Sequence, residues 1–132
     1  MELGESLEDY LESILVLSEK IDHVRSVDVA SYLGFSKPSV SHAVKLLEKD
    51  GYLHLDENKF LYLTDAGNRI ATETYRRHRF FREMLEEIGV PKTIAENDAC
   101  RMEHVISPES FHAIKAHLNS EEHIKALSNQ NK

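Results

Sequence analysis

Apolar residues recur every three or four positions from Leu7 onward, which is the spacing of an amphipathic helix. Acidic and hydroxyl side chains occupy the positions between them. We therefore predict a first helix over residues 6–20. A short helix over residues 27–33 is expected to follow, with Ser26 as its N-cap and Gly34 at its end, because glycine tolerates left-handed backbone geometry.

A third helix is predicted to begin after Ser36, a good N-cap residue, with Pro38 in its first turn. Its apolar stripe reaches to Asp50. A short helix, a tight turn and a longer amphipathic helix form the helix-turn-helix pattern. The next segment alternates leucines around the polar loop 56–59, as a β-hairpin does. The two patterns together predict a winged helix.

The rest of the chain has helical patterns only. A long helix is expected to open after Thr64 and to stop before Gly89. Further helices are expected over residues 92–105, from Pro108 onward, and over residues 121–127. The predicted fold class is therefore mainly α.

Charge is distributed unevenly along the chain. The net charge of −7 argues against nucleic acid, because affinity for phosphates normally rests on an excess of lysine and arginine. Residues 20–82, however, hold 11 basic and 8 acidic residues, whereas the two ends hold 5 basic and 15 acidic residues. The middle of the chain is thus suited to DNA and the ends to cations.

Composition also indicates a cellular compartment. No apolar run approaches the ~20 residues that span a bilayer, and the acidic N-terminus lacks the pattern of a signal peptide. A single cysteine cannot form an internal disulfide. We expect a soluble, cytoplasmic protein.

One face of the third predicted helix has side chains suited to reading DNA. A helix in the major groove needs short hydrogen-bonding side chains near its N-terminus for base edges and cations further along for phosphates. Cations in the wing tip and before the second helix are natural phosphate contacts. An ordinary solvated face is the alternative interpretation. The predicted DNA-binding residues are Arg25, Ser36, Lys37, Pro38, Ser39, Ser41, His42, Lys45, Lys49 and Lys59.

Metal-ligand residue types cluster in the segment ENDACRMEHV. Its residues Cys100, Glu103 and His104 fall on one stripe of a helix, so a thiol, a carboxylate and an imidazole converge there. Asp9 and Glu12 form a second convergent pair on the first helix. Taken singly, such residues are more often solvated or capping groups, but together they are suited to one or two divalent cations. The candidate ligands are Asp9, Glu12, His78, Cys100, Glu103 and His104.

The chain resembles the metal-dependent repressors of the diphtheria toxin repressor and manganese transport regulator family over about residues 6–118. The resemblance rests on five ordered segments, EDYLESILVLSE, SKPSVSHAVKLLEKDGYL, LYLTDAG, RRHRF and ACRMEHVIS. It implies a homodimer that binds operator DNA when loaded with Fe(II) or Mn(II) and represses metal uptake genes. It also implies that the six candidate ligands match metal ligands, and that Ser36, Pro38 and His42 meet bases.

The resemblance implies two domains. An N-terminal winged helix-turn-helix DNA-binding domain with a small β-hairpin wing would occupy residues 1–70, and its first helix would also serve the metal site. An all-helical metal-binding and dimerisation domain would occupy residues 71–132.

Differences between the two branches of the family bear on the metal. Iron-type members have Met where Asp9 stands, lack Glu12, and build an ancillary site where this chain has Arg82 and Glu96. These departures favour the manganese branch. The manganese branch commonly has Glu in place of Cys100. Three carboxylates favour Mn(II), whereas one thiolate favours Fe(II), Co(II) or Zn(II). We expect Mn(II), with Fe(II) as the alternative and with Zn(II) or Co(II) binding in vitro.

Other functional classes remain as rivals. A metal-dependent hydrolase would use a glutamate and a histidine beside a metal, but the sequence has no nucleophile motif and no phosphate-binding loop. A winged-helix repressor that senses an organic ligand would leave the ligand-type residues unexplained. A constitutive DNA-structuring protein is disfavoured by the negative charge.

We therefore expect a regulator and not an enzyme. Its expected partners are a near-palindromic operator and a second copy of the chain, with no membrane and no organic substrate. The histidines His112, His117 and His123 leave a further metal site open.

Overall fold

The computed structural model describes the backbone of residues 5–130 and the side chains of residues 7–119. The described chain is mostly helical and contains one two-stranded sheet, which confirms the predicted fold class. Its elements are α1 (Glu5–Lys20), α2 (Ser26–Leu33), α3 (Lys37–Lys49), β1 (Leu53–Leu55), β2 (Leu61–Leu63), α4 (Asp65–Glu87), α5 (Lys92–Val105) and α6 (Pro108–Gln130).

Two compact units make up the chain. The N-terminal unit comprises residues 1–79 and the C-terminal unit residues 80–132. The predicted functional boundary at residue 70 stays a prediction. Within the described part of the chain, no helix has both the length and the apolar character that crossing a membrane requires.

The N-terminal unit has one apolar core, to which its first three helices and the hairpin contribute. Leu11 and Ile14 of α1, Val29 of α2, and Val40 and Leu47 of α3 are at most 1% exposed. Full burial of an apolar side chain of this size stabilises a fold by about 1.5–3 kcal/mol. The orientation of α3 is therefore fixed by apolar packing within this unit.

The ends of α2 and α3 follow local chemistry. The prediction that Ser26 caps α2 is wrong, because α2 begins at Ser26 and its N-cap is Arg25. The Asp28 carboxylate accepts the Arg25 N–H at 2.9 Å, and this bond sets the start of the helix. Gly34 ends α2 at φ 72°, and Ser36 caps α3, both as predicted.

The predicted hairpin is confirmed. β1 and β2 are antiparallel, with Leu53 opposite Leu63 and Leu55 opposite Leu61. The Leu61 N–H also donates to the Val24 carbonyl oxygen at 2.7 Å. The second strand of the wing is thus attached to the segment that precedes α2.

The start of α4 is attached to the chain that leads into the hairpin. The Thr64 hydroxyl accepts the Gly67 N–H at 3.1 Å and donates to the Gly51 carbonyl oxygen at 2.7 Å. A Cβ at Gly67 would overlap the Tyr52 carbonyl. Only glycine at this position lets the first turn of α4 approach that backbone so closely.

Aromatic packing forms the core of the C-terminal unit. Phe80 and Phe81 of α4 pack edge to face with Phe111 of α6, with ring centroids 5.3 and 5.8 Å from the Phe111 centroid. Ala99 of α5 is buried against this cluster. The separate helix predicted over residues 121–127 is wrong, because α6 runs unbroken over Pro108–Gln130. After Pro108 this segment contains no glycine or proline to interrupt it.

Candidate metal centre and nucleic-acid interface

Three donor side chains converge on α5. The donor atoms of Cys100, Glu103 and His104 lie within 4.8 Å of one another. Their spacing of three and four residues places them on one side of the helix. Sulfur, carboxylate oxygen and imidazole nitrogen are all ligands that proteins use for divalent transition metals. The C-terminal unit therefore presents a three-donor set on a single helix.

The carboxylate of this set is buried. Glu103 is 2% exposed, and one of its oxygens is 3.2 Å from Nε2 of His104. Burying an ionised carboxylate is costly unless hydrogen bonds or an opposite charge compensate it. A divalent cation is one such opposite charge. The donor types and the burial of Glu103 therefore fit a bound metal ion.

A second donor set lies in the N-terminal unit. Asp9 and Glu12 are half-buried on α1, three residues apart and on the same side of the helix. His78 lies in the part of α4 that belongs to this unit and is 6% exposed. Glu12 and His78 bring donor atoms within 4.8 Å of each other. Carboxylate oxygens beside an imidazole suit a harder cation than the thiol of Cys100 does.

Two positions that differ from iron-type members interact with each other in this structure. Arg82 and Glu96, both in the C-terminal unit, form an ion pair with 3.5 Å between guanidinium nitrogen and carboxylate oxygen. Arginine remains protonated in proteins and has no lone pair to offer a metal. Arg82 therefore cannot serve as a metal ligand at this position, and the candidate donors are those on α1, α4 and α5.

The histidines of α6 show no comparable grouping. His112 and His117 are exposed. Among the described side chains, no group of three or more donors includes either of them. The side chain of His123 lies outside the described residues. A further site on α6 stays a prediction without support.

The predicted recognition face of α3 is open to solvent. The buried side of the helix consists of Val40, Ala43, Val44 and Leu47. The Ser36 hydroxyl accepts the Ser39 N–H at 3.3 Å and donates to the Ser39 hydroxyl at 2.8 Å, which orders the helix N-terminus. The exposed predicted DNA-binding residues in this region are Ser36, Lys37, Pro38, Ser39, Ser41, His42, Lys45 and Lys49.

Backbone and side-chain bonds join the recognition helix to the wing. The Glu48 carboxylate of α3 accepts the Leu55 N–H of β1 at 3.3 Å. The Tyr52 N–H donates to the Leu47 carbonyl oxygen at 2.9 Å. The wing is therefore held at a defined position beside α3.

A compact turn shapes the wing tip. The Asp56 carboxylate accepts the N–H groups of Asn58 and Phe60, each at 2.9 Å, while Lys59 adopts a left-handed φ of 66°. The Phe60 N–H, helped by Asn58 and by the Tyr62 hydroxyl, lowers the pKa of Asp56 despite some desolvation. Stabilising the charged form of Asp56 keeps the turn closed and Lys59 exposed at its tip.

Sequence patterns did not reveal the contacts at the base of the wing. The Phe60 ring stacks on the His23 ring, with centroids 4.4 Å apart and planes 16° apart. The guanidinium carbon of Arg25 lies over the same ring, 4.7 Å from its centroid. The segment DENKF does contain an aspartate that favours a tight turn, but the pairing of its phenylalanine with residues 23 and 25 is a tertiary contact.

Two family models match successive parts of the chain. Residues 2–61 match the model described as iron dependent repressor, N-terminal DNA binding domain. Residues 64–125 match the model described as iron dependent repressor, metal binding and dimerisation domain. The matched segments include all six candidate metal ligands and the predicted recognition face.

Curated relatives and solved structures give the same assignment. The transcriptional regulator MntR of Salmonella typhimurium is 35% identical over 112 residues, which cover 85% of this chain and 71% of that protein. The HTH-type transcriptional regulator MntR of Bacillus subtilis is 35% identical over 109 residues, or 83% of this chain and 77% of that protein. A solved manganese-dependent transcriptional repressor in complex with manganese is 30% identical, with a TM-score of 0.77 over 86% of this chain. The match covers 52% of that repressor, so this chain spans about half its length. The chain belongs to the iron-dependent repressor family of metal-dependent transcriptional regulators.

Proposed function

We propose that this protein is a Mn(II)-activated repressor that binds operator DNA as a homodimer and controls genes for metal-ion uptake, with Fe(II) as the alternative activator. The observation that carries the proposal is the three-donor set of α5, with Glu103 buried and held beside His104. We expect this donor set to bind a metal ion and not to catalyse a reaction. The relatives that support this role are named as transcriptional regulators.

Two donor sets would supply the metal ligands. The N-terminal unit contributes carboxylates and one imidazole, and the C-terminal unit contributes the thiol, carboxylate and imidazole of α5. We expect them to hold one or two cations per subunit. The DNA-binding domain would extend to residue 70 and the metal-binding and dimerisation domain would follow it. The proposed ligands are Asp9, Glu12, His78, Cys100, Glu103 and His104.

The choice of Mn(II) rests on the balance of donors. Three carboxylates form a hard environment that suits Mn(II), whereas the single thiol of Cys100 adds affinity for softer ions. A solved relative is a manganese-dependent repressor in complex with manganese, which supports the same choice. Zn(II) and Co(II) are expected to bind in vitro through Cys100 and the histidines.

The exposed face of α3 would enter the major groove. Its serines and His42 are placed near the helix N-terminus for base edges, while Lys45 and Lys49 follow for phosphates. Lys59 in the wing tip and Arg25 before α2 would add phosphate contacts. A twofold homodimer presents two such helices, so the operator should be a near-palindrome.

Activation is expected to shift a population of conformations. When bound, the cation would be held by the proposed ligands of each donor set, whose side chains would then be fixed in one conformation. We expect this conformation to favour one spacing of the two recognition helices in the dimer. Raising the population of the DNA-binding conformation from about 1% to about 99% requires ~5.5 kcal/mol of differential affinity. Several metal-ligand bonds that are present in only that conformation are sufficient for this.

DNA binding by the purified protein tests the proposal. Mn(II), Fe(II), Co(II) and Zn(II) are titrated separately while fluorescence anisotropy reports binding to operator and to scrambled DNA. We expect Mn(II) to promote specific binding and a chelator to reverse it. Equal operator affinity in chelator and in Mn(II) would contradict the proposal and favour a regulator that senses an organic ligand.

The assignment of the recognition face is tested in the same assay. Lys45→Ala should weaken binding to all DNA and lower the slope of log affinity against log salt by about one, because it removes a phosphate contact. His42→Ala should mainly alter sequence preference. Lys92→Ala, an exposed lysine of α5, is the control for net charge. Loss of non-specific affinity alone in both α3 variants would mean that the face is wrongly assigned.

A further inference from the structure

The base of the wing contains an aromatic contact that the proposed function does not use. The Phe60 ring lies 4.4 Å from the His23 ring and 4.7 Å from the guanidinium carbon of Arg25, measured to the Phe60 centroid. Phe60 is half-buried, whereas His23 and Arg25 are exposed. A cationic side chain over an aromatic face is attracted by the negative charge density of the ring.

The backbone explains why both side chains reach the same ring. His23 and Arg25, two positions apart, both contact the Phe60 ring, and the backbone of Arg25 is extended, with φ −118° and ψ 164°. Val24 is buried, and its carbonyl oxygen accepts the Leu61 N–H at 2.7 Å. Phe60 immediately precedes that bond. Backbone pairing thereby places the ring in contact with both exposed side chains.

The ring itself is held in place. The Phe60 N–H donates to the Asp56 carboxylate at 2.9 Å. The imidazole of His23 is stacked nearly parallel on the ring and so limits its rotation. The guanidinium of Arg25 therefore packs on a ring that is held in position. The conformations of the Arg25 side chain are thus restricted before any DNA is bound.

We propose that Phe60 is a positioning residue for DNA binding: its ring, clamped by His23, holds the Arg25 guanidinium in the conformation in which it contacts the DNA backbone. This rests on the proposed DNA-binding function. A long cationic side chain loses rotamer freedom when it binds a phosphate. Arg25 loses part of that freedom in the free protein, so its phosphate contact forms at a lower entropic cost.

The expected effect is modest and specific. Phe60→Leu removes the ring but keeps an apolar side chain, and it should weaken DNA binding about two- to fivefold, the size of an exposed cation–π contact. The slope of log affinity against log salt should not change, because Arg25 keeps its charge and still reaches the phosphate. Arg25→Gln should lower that slope by about one. A wing that merely unfolded in Phe60→Leu would lose the Lys59 contact and lower the slope as well.

A double-mutant cycle in Mn(II) tests the proposal. Operator affinity is measured against salt for the parent, Phe60→Leu, Arg25→Gln and the double variant, with Phe60→Tyr as the variant that retains the ring. We expect the double variant to bind no more weakly than Arg25→Gln, and Phe60→Tyr to bind like the parent. Additive losses, or parental binding by Phe60→Leu, would overturn the role of Phe60 and leave the DNA-binding function intact. A parent protein that binds no operator with any metal would overturn both.

Discussion

The two units of the chain are stabilised in different ways. In the described residues, the N-terminal unit buries fourteen apolar side chains in one core, whereas the core cluster of the C-terminal unit has three, Phe81, Ala99 and Phe111. The C-terminal unit also carries Glu103, a carboxylate at 2% exposure. Apolar packing is thus sufficient to orient the recognition helix. In α5, the burial of the Glu103 carboxylate instead requires hydrogen bonds or an opposite charge to offset its cost.

The apolar core thus orients the helix proposed to read DNA, whereas α5 carries three of the six proposed metal ligands. We expect α3 to present the same face whether or not a cation is bound, because apolar packing sets its orientation. We expect Glu103 to gain most from a cation, because its carboxylate is buried.

The largest effect is expected from breaking the apolar core of the N-terminal unit. Leu47→Ala should lower the free energy of unfolding by about 2–5 kcal/mol, because Leu47 is fully buried in α3. Leu46, its neighbour on the same helix, is 37% exposed, so Leu46→Ala should change stability by less than about 1 kcal/mol. Urea unfolding of the metal-free protein measures both. Equal losses would show that α3 is not oriented by this core.

Removing a proposed ligand should have the next largest effect, on DNA binding rather than on folding. Glu103→Gln keeps the side-chain volume and removes the charge, and His78→Ala removes an imidazole. Each should weaken Mn(II)-dependent operator binding by about 100-fold or more, because the active arrangement is no longer favoured. Asp98→Asn removes an exposed carboxylate of α5 and serves as the matched control. Parental Mn(II) activation in both ligand variants would exclude these residues from the metal site.

The soft donor of α5 allows a smaller and more selective change. Cys100→Glu should still respond to Mn(II) but lose roughly tenfold in affinity for Zn(II) and Co(II) relative to Mn(II), because it replaces a thiolate by a carboxylate. Asp9→Met should act in the opposite direction and relax the response toward Fe(II). Metal affinity is measured separately from operator affinity for each ion. An unchanged ranking of the metals in both variants would show that neither residue is a ligand.

The smallest effect concerns pH and is confined to the wing. Hydrogen bonds from the Phe60 and Asn58 N–H groups hold the pKa of Asp56 below its usual value. The folded-state pKa is lower than the unfolded one, so the stabilisation is present above the unfolded pKa and is lost as pH falls through the folded value. The protection factors of the amides in residues 56–60, which correct for the intrinsic pH dependence of exchange, should therefore stay constant from pH 7 to 5 and fall only below about pH 4. Asp56→Asn should exchange faster even at pH 7, while Glu57→Gln should not.

Sequence patterns located the helices more accurately than their end residues. Helix α5 was predicted with its observed bounds, because Gly89 and Pro91 mark its start and the helical pattern is uninterrupted. The cap of α2 was misplaced by one residue, since a serine and a nearby aspartate both favour a helix start and only the structure shows which group accepts the bond. Local patterns therefore locate elements well and their end residues less well.

The chemistry of the sites was predictable only as residue types on helix faces. The stripe of Cys100, Glu103 and His104 follows from helical spacing, but the near-complete burial of Glu103 depends on tertiary packing. The same holds for Phe60 and Arg25, which are 35 positions apart in the sequence and meet through the pairing of Leu61 with Val24. Contacts of this kind leave no periodic signal in the sequence.

The central claim is that the α5 donors bind the metal and that the α3 core is folded without it. Hydrogen exchange measured by mass spectrometry, with and without saturating Mn(II), tests both parts of this claim. Ligand binding protects the segments that open only when the ligand leaves, and it adds about 2.7 kcal/mol of protection at a ligand concentration 100 times the dissociation constant. We predict a large gain in protection over residues 99–105 and little change over residues 40–47. No gain over residues 99–105 would show that the α5 donors do not bind the metal. An equal gain over residues 40–47 would show that the α3 core also depends on it.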